Sequence, residues 1–159
     1  MPTPANQIAA QARNRMRAQG DNPERVDNVR RDFYIYSAQC TALAIGASIT
    51  TSIQIEADSE FILQKLSFQA VNGATNAAVA APNLTVQITD TGSGRQLMQT
   101  PIPVVSFFGT GQLPFILPNP KLFMRNSTIQ IAFTSTEIAG GITQTCRLAF
   151  IGYKIYSTV

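Results

Sequence analysis

The chain has no histidine among its 159 residues. That removes the usual general base, the Ser-His-Asp arrangement and most zinc sites. Acid–base chemistry would fall to carboxylates, and Asp90-Thr91-Gly92-Ser93 is the candidate, because it follows the alternating apolar run Leu84, Val86, Ile88. An aspartate in such a turn can share one proton with a second aspartate across a dyad, and a short chain would supply the second by homodimerising. Phe150-Ile151-Gly152 could furnish the apolar-apolar-Gly element that accompanies such a site. Plain turn chemistry accounts for the same residues. Gly92 and Gly94 supply positive φ, and the Asp90 side chain caps its own turn. The preceding strand also carries Gln87 and Thr89, whereas a strand buried on both faces would not.

Other chemistry-bearing residues are sparse. Glu56, Asp58 and Glu60 fall at i, i+2, i+4, where hard oxygens could hold calcium or simply solvate a loop between strands. Cys40 and Cys146 make no disulfide framework and read as buried thiols. Phe107-Phe108, ahead of Gly109-Thr110-Gly111, would line a sugar or peptide groove, or anchor a proline-rich loop. These residues predict no catalytic site, no metal and no cofactor.

The charge distribution is more telling. From Phe33 to Val159 there are 127 residues, of which only 11 are Asp, Glu, Lys or Arg. A free soluble domain carries roughly 25% charged residues. Residues 1–32 hold the other ten, among them Arg13, Arg15 and Arg17. A body this poor in charge but rich in Thr, Ser, Gln and Asn predicts a surface covered by neighbours. It lacks the dense basic patch that nucleic-acid contact requires. No run reaches the roughly 18 apolar residues of a membrane span. Residues 1–20 have no apolar core of a secretory signal, which predicts assembly in a cytoplasm.

The elements that must position these residues fall into two parts. Residues 6–19 are good helix formers stopped by Gly20, with Ile8, Ala12 and Met16 on one thin stripe. That stripe cannot hold a lone helix in water, so the segment frays or docks. With the charged linker that follows Asp21-Asn22-Pro23, residues 1–32 read as an arm and 33–159 as the body. The body is β. Ile49 to Ala57, Leu84 to Ile88 and Ile129 to Phe133 alternate apolar with polar, the period of half-buried strands. Phe33-Tyr34-Ile35-Tyr36 and Leu148–Tyr156 are apolar on both faces, so each is central or turns one face to a partner. Glu60–Val71 is a strand with a bulge near Phe61-Ile62-Leu63. Five prolines between Pro101 and Pro120 predict short edge strands and ordered loops there. Seven or eight strands with no helix after residue 32 make an all-β antiparallel sandwich, best fitted by an eight-stranded jelly roll. If the first and last strands adjoin, Tyr34, Tyr36, Tyr153 and Tyr156 form one amphipathic surface, suited either to an interface or to core packing with hydroxyls at the rim.

Leu84–Arg95, Pro101-Ile102-Pro103, Phe108–Pro118 and Leu148–Ile155 resemble, in texture and short phrases, the small virion proteins of tailed bacteriophages. The resemblance covers roughly Phe33 to Tyr156. It implies a non-enzymatic structural protein of the virion, of the capsid cement (decoration) type, with the major capsid protein and further copies of itself, as a dimer or trimer, for partners. Under that implication the contacts fall on Ile8, Ala12, Arg13, Met16 and Arg17 of the arm. In the body they fall on Tyr34, Tyr36, Phe107, Phe108, Tyr153 and Tyr156. A neck, tail or fibre component with a receptor- or carbohydrate-binding sandwich is the alternative. A dimeric aspartic protease using Asp90 is the remote one.

Overall fold

Alternation dictates the strands. In β4 (Leu84–Asp90) and β8 (Thr128–Ser135) every second residue is buried, and the two register so that Val86 faces Phe133 and Ile88 faces Ile131. β2 (Ser48–Gln54) adds Ile53 opposite Ile129. These inward cross-strand pairs form one half of the core. The computed structural model that shows this describes residues 29–157. The expected helix over 6–19 and the contacts assigned to Ile8, Ala12, Arg13, Met16 and Arg17 lie outside them.

Residues Arg31–Ile155 make one compact unit, and residues to Arg30 with those from Tyr156 make another. In the second, the Arg30 guanidinium lies 5.4 Å above the Tyr156 ring. The remaining elements are β1 (Val29–Leu43), β3 (Glu60–Asn72), β5 (Arg95–Gln96), β6 (Ile102–Pro103), α1 (Val104–Phe107), β7 (Phe115–Phe123) and β9 (Gln144–Ser157). They form two antiparallel sheets. Sheet A has the order β1-β9-β3-β7; sheet B has the order β2-β8-β4-β5, with β6 also on β4. β5 and β6 pair with opposite ends of β4, so they share one strand position. The result is eight positions in two four-stranded layers, a jelly roll.

Between the layers Phe61, Phe123, Phe133 and Phe150 are wholly buried. Phe61 stacks on Phe123 at 6.5 Å, and Phe108 meets Phe150 edge-on at 6.1 Å. The prolines behave as their chemistry requires: Pro118 and Pro120 sit in β7, an edge strand, where a missing N–H costs no ladder bond. Two expectations are corrected. β1 begins at Val29, four residues before the expected start of the body. Residues Val104-Val105, expected as an edge strand, open a single helical turn closed by Phe108 N–H donating to Val104 O at 2.9 Å. Pro103, with φ −56° at the cap, ends β6 and presets this turn.

The β3 register shifts between Leu63 and Lys65 against both neighbours, which is the bulge. There β9 comes so close that a Cβ on Gly152 would strike the Ile62 carbonyl. Gly152→Ala is therefore expected to destabilise by about 2 kcal/mol or more, since backbone cannot yield as a side chain does. Gly111→Ala, with open space around it, should stay near wild type. Thermal unfolding of the two variants checks the contrast.

Candidate functional site

Asp90, the one residue with an enzymatic reading, ends β4 with its carboxylate buried. Its Oδ1 accepts from Gly92 N–H at 3.1 Å and Ser93 N–H at 3.4 Å, and its Oδ2 from Ser93 Oγ at 2.7 Å. Lys121 Nζ stands 3.5 Å from Oδ2. Thr91 anchors the turn by donating from N and Oγ1 to Thr128 O. Burial alone would raise the Asp90 pKa, but the Ser93 and Gly92 hydrogen bonds and Lys121 outweigh it and hold it below the ordinary value. A proton-sharing carboxylate needs the reverse shift and a free oxygen lobe. Asp90-Thr91-Gly92-Ser93 is a locked Asx-type turn; of the two glycines expected at positive φ, Gly94 has it, at 65°, and Gly92 does not.

The other candidates disperse. Glu56 bonds Lys154, Asp58 accepts from Ser59 Oγ, and no group of three or more metal-ligating side chains occurs among the described residues. Cys40 and Cys146 are free and buried, and burial pushes both thiols up, Cys146 to about 12. Neither is a nucleophile at neutral pH. Phe108 belongs to the core, so the two phenylalanines do not line one groove. Phe107 packs on Phe108 and Phe115 at 5.7 and 5.2 Å, and borders a depression of about 260 Å³ with Arg95, Leu97, Leu117 and Lys121.

The tyrosines do not make one surface either. β1 and β9 adjoin, as expected, but strand parity divides their rings. Tyr34 and Tyr36 face inward, 4.7 Å apart, with Tyr36 against Phe61 at 4.9 Å. Tyr36 is thereby a core residue, with no face to offer a neighbour. Burial raises its phenol pKa, and its Oη has no hydrogen-bond partner among the described residues. Beside them lies a group the sequence reading did not single out. Lys154 Nζ, on the inward parity of β9, sits 3.8 Å from the Tyr34 ring centroid and 5.6 Å from that of Tyr36, and bonds the Glu56 carboxylate. Desolvation would lower its pKa, yet the Glu56 hydrogen bond and the tyrosines raise it to about 12. An amine so firmly protonated is a cationic staple between strands and cannot act as a base. Its signal was available: the lone charge in an apolar run, in phase with Phe150.

What the sandwich leaves outside is the outer face of sheet A. Ile62 registers with Tyr153 on one side and Leu122 on the other, and Phe33 meets Tyr153 edge-on at 6.4 Å. The row Leu122, Ile62, Tyr153, Phe33 thus crosses the sheet, and Phe33 is 63% exposed. Beside it Lys65 registers with Ile151 and with Ile116, which is 65% exposed. Further along, small residues (Ser37, Ser67, Ala149) floor a groove of about 500 Å³ edged by Gln69, Thr110 and Arg147. Of the residues named in the sequence as interface candidates, Tyr153 lies on this face, together with Phe33, Ile35, Ile62 and Leu122.

No family model matches the chain, and no curated protein matches it. Among solved structures it is similar to the infectious bursal disease virus VP2 subviral particle, at 14% identity over 82% of this chain and 33% of that one, with a TM-score of 0.39. It is also similar to T=1 particles derived from infectious bursal virus, at 15% identity over 81% and 32%, with a TM-score of 0.32. The chain spans about a third of the length of the chains it matches.

The Lys154 staple gives an asymmetric expectation. Glu56→Gln strands a buried ammonium and should cost about 3 kcal/mol, whereas Lys154→Met leaves a half-exposed carboxylate that water can solvate and should cost about 1 kcal/mol. Because the folded Lys154 pKa lies above its unfolded value, the staple's contribution is complete below roughly pH 10. It is lost as pH rises through about 12. Denaturant unfolding of both variants at neutral and alkaline pH measures this.

Proposed function

We propose that the protein is a non-enzymatic structural subunit of a virion, of the capsid cement (decoration) type, made in the host cytoplasm and working by adhesion. The observation that carries this reading is the outer face of sheet A. It exposes a continuous apolar row, and no described residue covers it. The sparse charge of residues 33–159 supports the same reading, because few charges lower the desolvation cost of contact. So does the chemistry of the candidate residues: the Asp90 carboxylate is saturated, the Lys154 amine is held protonated, and both thiols are buried. In this reading residues 1–28 are the arm that reaches the major capsid protein, with Arg13, Arg15 and Arg17 meeting acidic partners, and the sandwich joins further copies. Arms that order on binding exchange entropy for reach. Removing residues 1–28 leaves β1 whole, so the truncated chain should fold as before. It should bind stripped capsids at least about tenfold more weakly by co-sedimentation. Undiminished binding would refute the arm.

A second reading, a receptor- or carbohydrate-binding module of a neck, tail or fibre, draws on the polar groove of Ser37, Ser67, Gln69 and Thr110, with Arg147 as its one cation. It predicts glycan binding that Gln69→Ala and Arg147→Ala abolish in calorimetry. Six or twelve copies per particle would favour this position, and hundreds would favour the shell.

A further inference from the structure

The outer face of sheet A carries its own complement. On β3, Glu60, Ile62 and Lys65 are all half-buried, and they register with Ile155, Tyr153 and Ile151 of β9. Residues that pair across strands point to one side, so Glu60 and Lys65 flank the apolar row Leu122, Ile62, Tyr153, Phe33, one step before it and one step after. Neither Glu60 nor Lys65 has an ion-pair partner among the described residues. We propose that this face is a two-fold interface with a second copy of the chain, centred on that row.

The geometry selects the occupant. A two-fold axis lying in the face along the row brings the row onto itself and reverses the strands. It sets Glu60 of each copy over Lys65 of the other. Both charges lie in the same strand at equal distance from the axis and are opposite in sign, the condition for an isologous contact. An unrelated partner would require no such symmetry within one chain. Facing sheets stand about 10 Å apart, within the joint reach of Glu and Lys, and these long side chains absorb the roughly 30° twist of aligned packing. β1 adds one more charge to this face, Arg31, which borders a depression with Ile62, Tyr153 and Ile155 on Glu60's side of the row. The axis sets it over the uncharged stretch Phe33–Leu43 of the other copy, so it stays at the rim and adds no ion pair.

Size sets the strength. Three rows across four strands cover on the order of 400 Å² per copy in projection, below the roughly 800 Å² per partner of a standard complex. The dimer is therefore a weak one, with Kd on the order of micromolar, which an assembly of many copies would reinforce. The proposal rests on reading this face as adhesive, and it is independent of what residues 1–28 bind.

Sedimentation velocity on the full chain tests it. The 17.2 kDa protein should dimerise reversibly with rising concentration. Glu60→Lys alone, or Lys65→Glu alone, turns two attractive pairs into two repulsive ones and should weaken the dimer at least about tenfold. Glu60→Lys with Lys65→Glu restores both pairs and should return Kd to within about threefold of wild type. Circular dichroism of each variant should match wild type. Ile62→Cys, on the axis, should be joined to its own copy by a short bis-maleimide, while Ser52→Cys on sheet B should not. A chain that stays monomeric up to about 1 mM overturns the proposal. So does a dimer that the single charge reversals leave intact, or one that the double variant fails to restore. If the dimer forms and truncation of residues 1–28 leaves capsid binding whole, the arm fails and this interface stands.

Discussion

In a two-layer sandwich each strand has one face inside, and slipping it by one residue exchanges core for surface. In this molecule that constraint operates most severely on β9, which lies between β1 and β3. Its run from Leu148 to Ile155 is almost wholly apolar, so hydrophobicity alone does not fix which residues go in. Three features do. Only glycine fits beside the Ile62 carbonyl, so Gly152 must stand at the β3 bulge, opposite Leu63. Phe150, two residues before it, then fills the core. Lys154, two residues after it, must also be inside, and it is tolerated there because Glu56 and two tyrosine rings receive its charge. A slipped register would hide Ile151, Tyr153 and Ile155 but expose Phe150 and crowd β3. The apolar outer face is the consequence of keeping β9 in its only workable phase.

The same argument explains what could be read in the sequence and what could not. The strands Leu84–Asp90 and Thr128–Ser135 were plain because one face is polar, so alternation names both the strand and its inner side. For Phe33-Tyr34-Ile35-Tyr36 the pattern left two options, a central strand or a face turned to a partner. β1 lies at the edge of sheet A, which excludes the central position. Which residues point outward depended on pairing with β9, a contact more than a hundred residues away in sequence. The tyrosines were therefore grouped by type where the structure sorts them by parity. The turn at Asp90 was legible from local chemistry alone, because an Asx turn needs only its own few residues. The helical turn at Val104 was not, since it is set by Pro103 and by the burial of Val104 in tertiary context.

Sheet B shows the opposite solution on its outer face. Ser48, Thr50, Ser52 and Gln54 of β2 lie beside Thr128, Gln130, Ala132 and Thr134 of β8, which lie beside Thr85, Gln87 and Thr89 of β4. None of these is charged. They bond one another across strands, Ser48 Oγ with Thr134 Oγ1 at 2.8 Å and Thr128 Oγ1 to Gln54 Oε1 at 2.7 Å. Hydroxyls and amides hydrate a surface without the long-range field that charges create. The two sheets thus present different outer faces. Sheet A exposes apolar area bordered by Glu60, Lys65, Arg31 and Arg147, and the paired rows of sheet B are wetted and uncharged. With eleven charges among 127 residues, the hydration of this body falls largely to the hydroxyls and amides of sheet B.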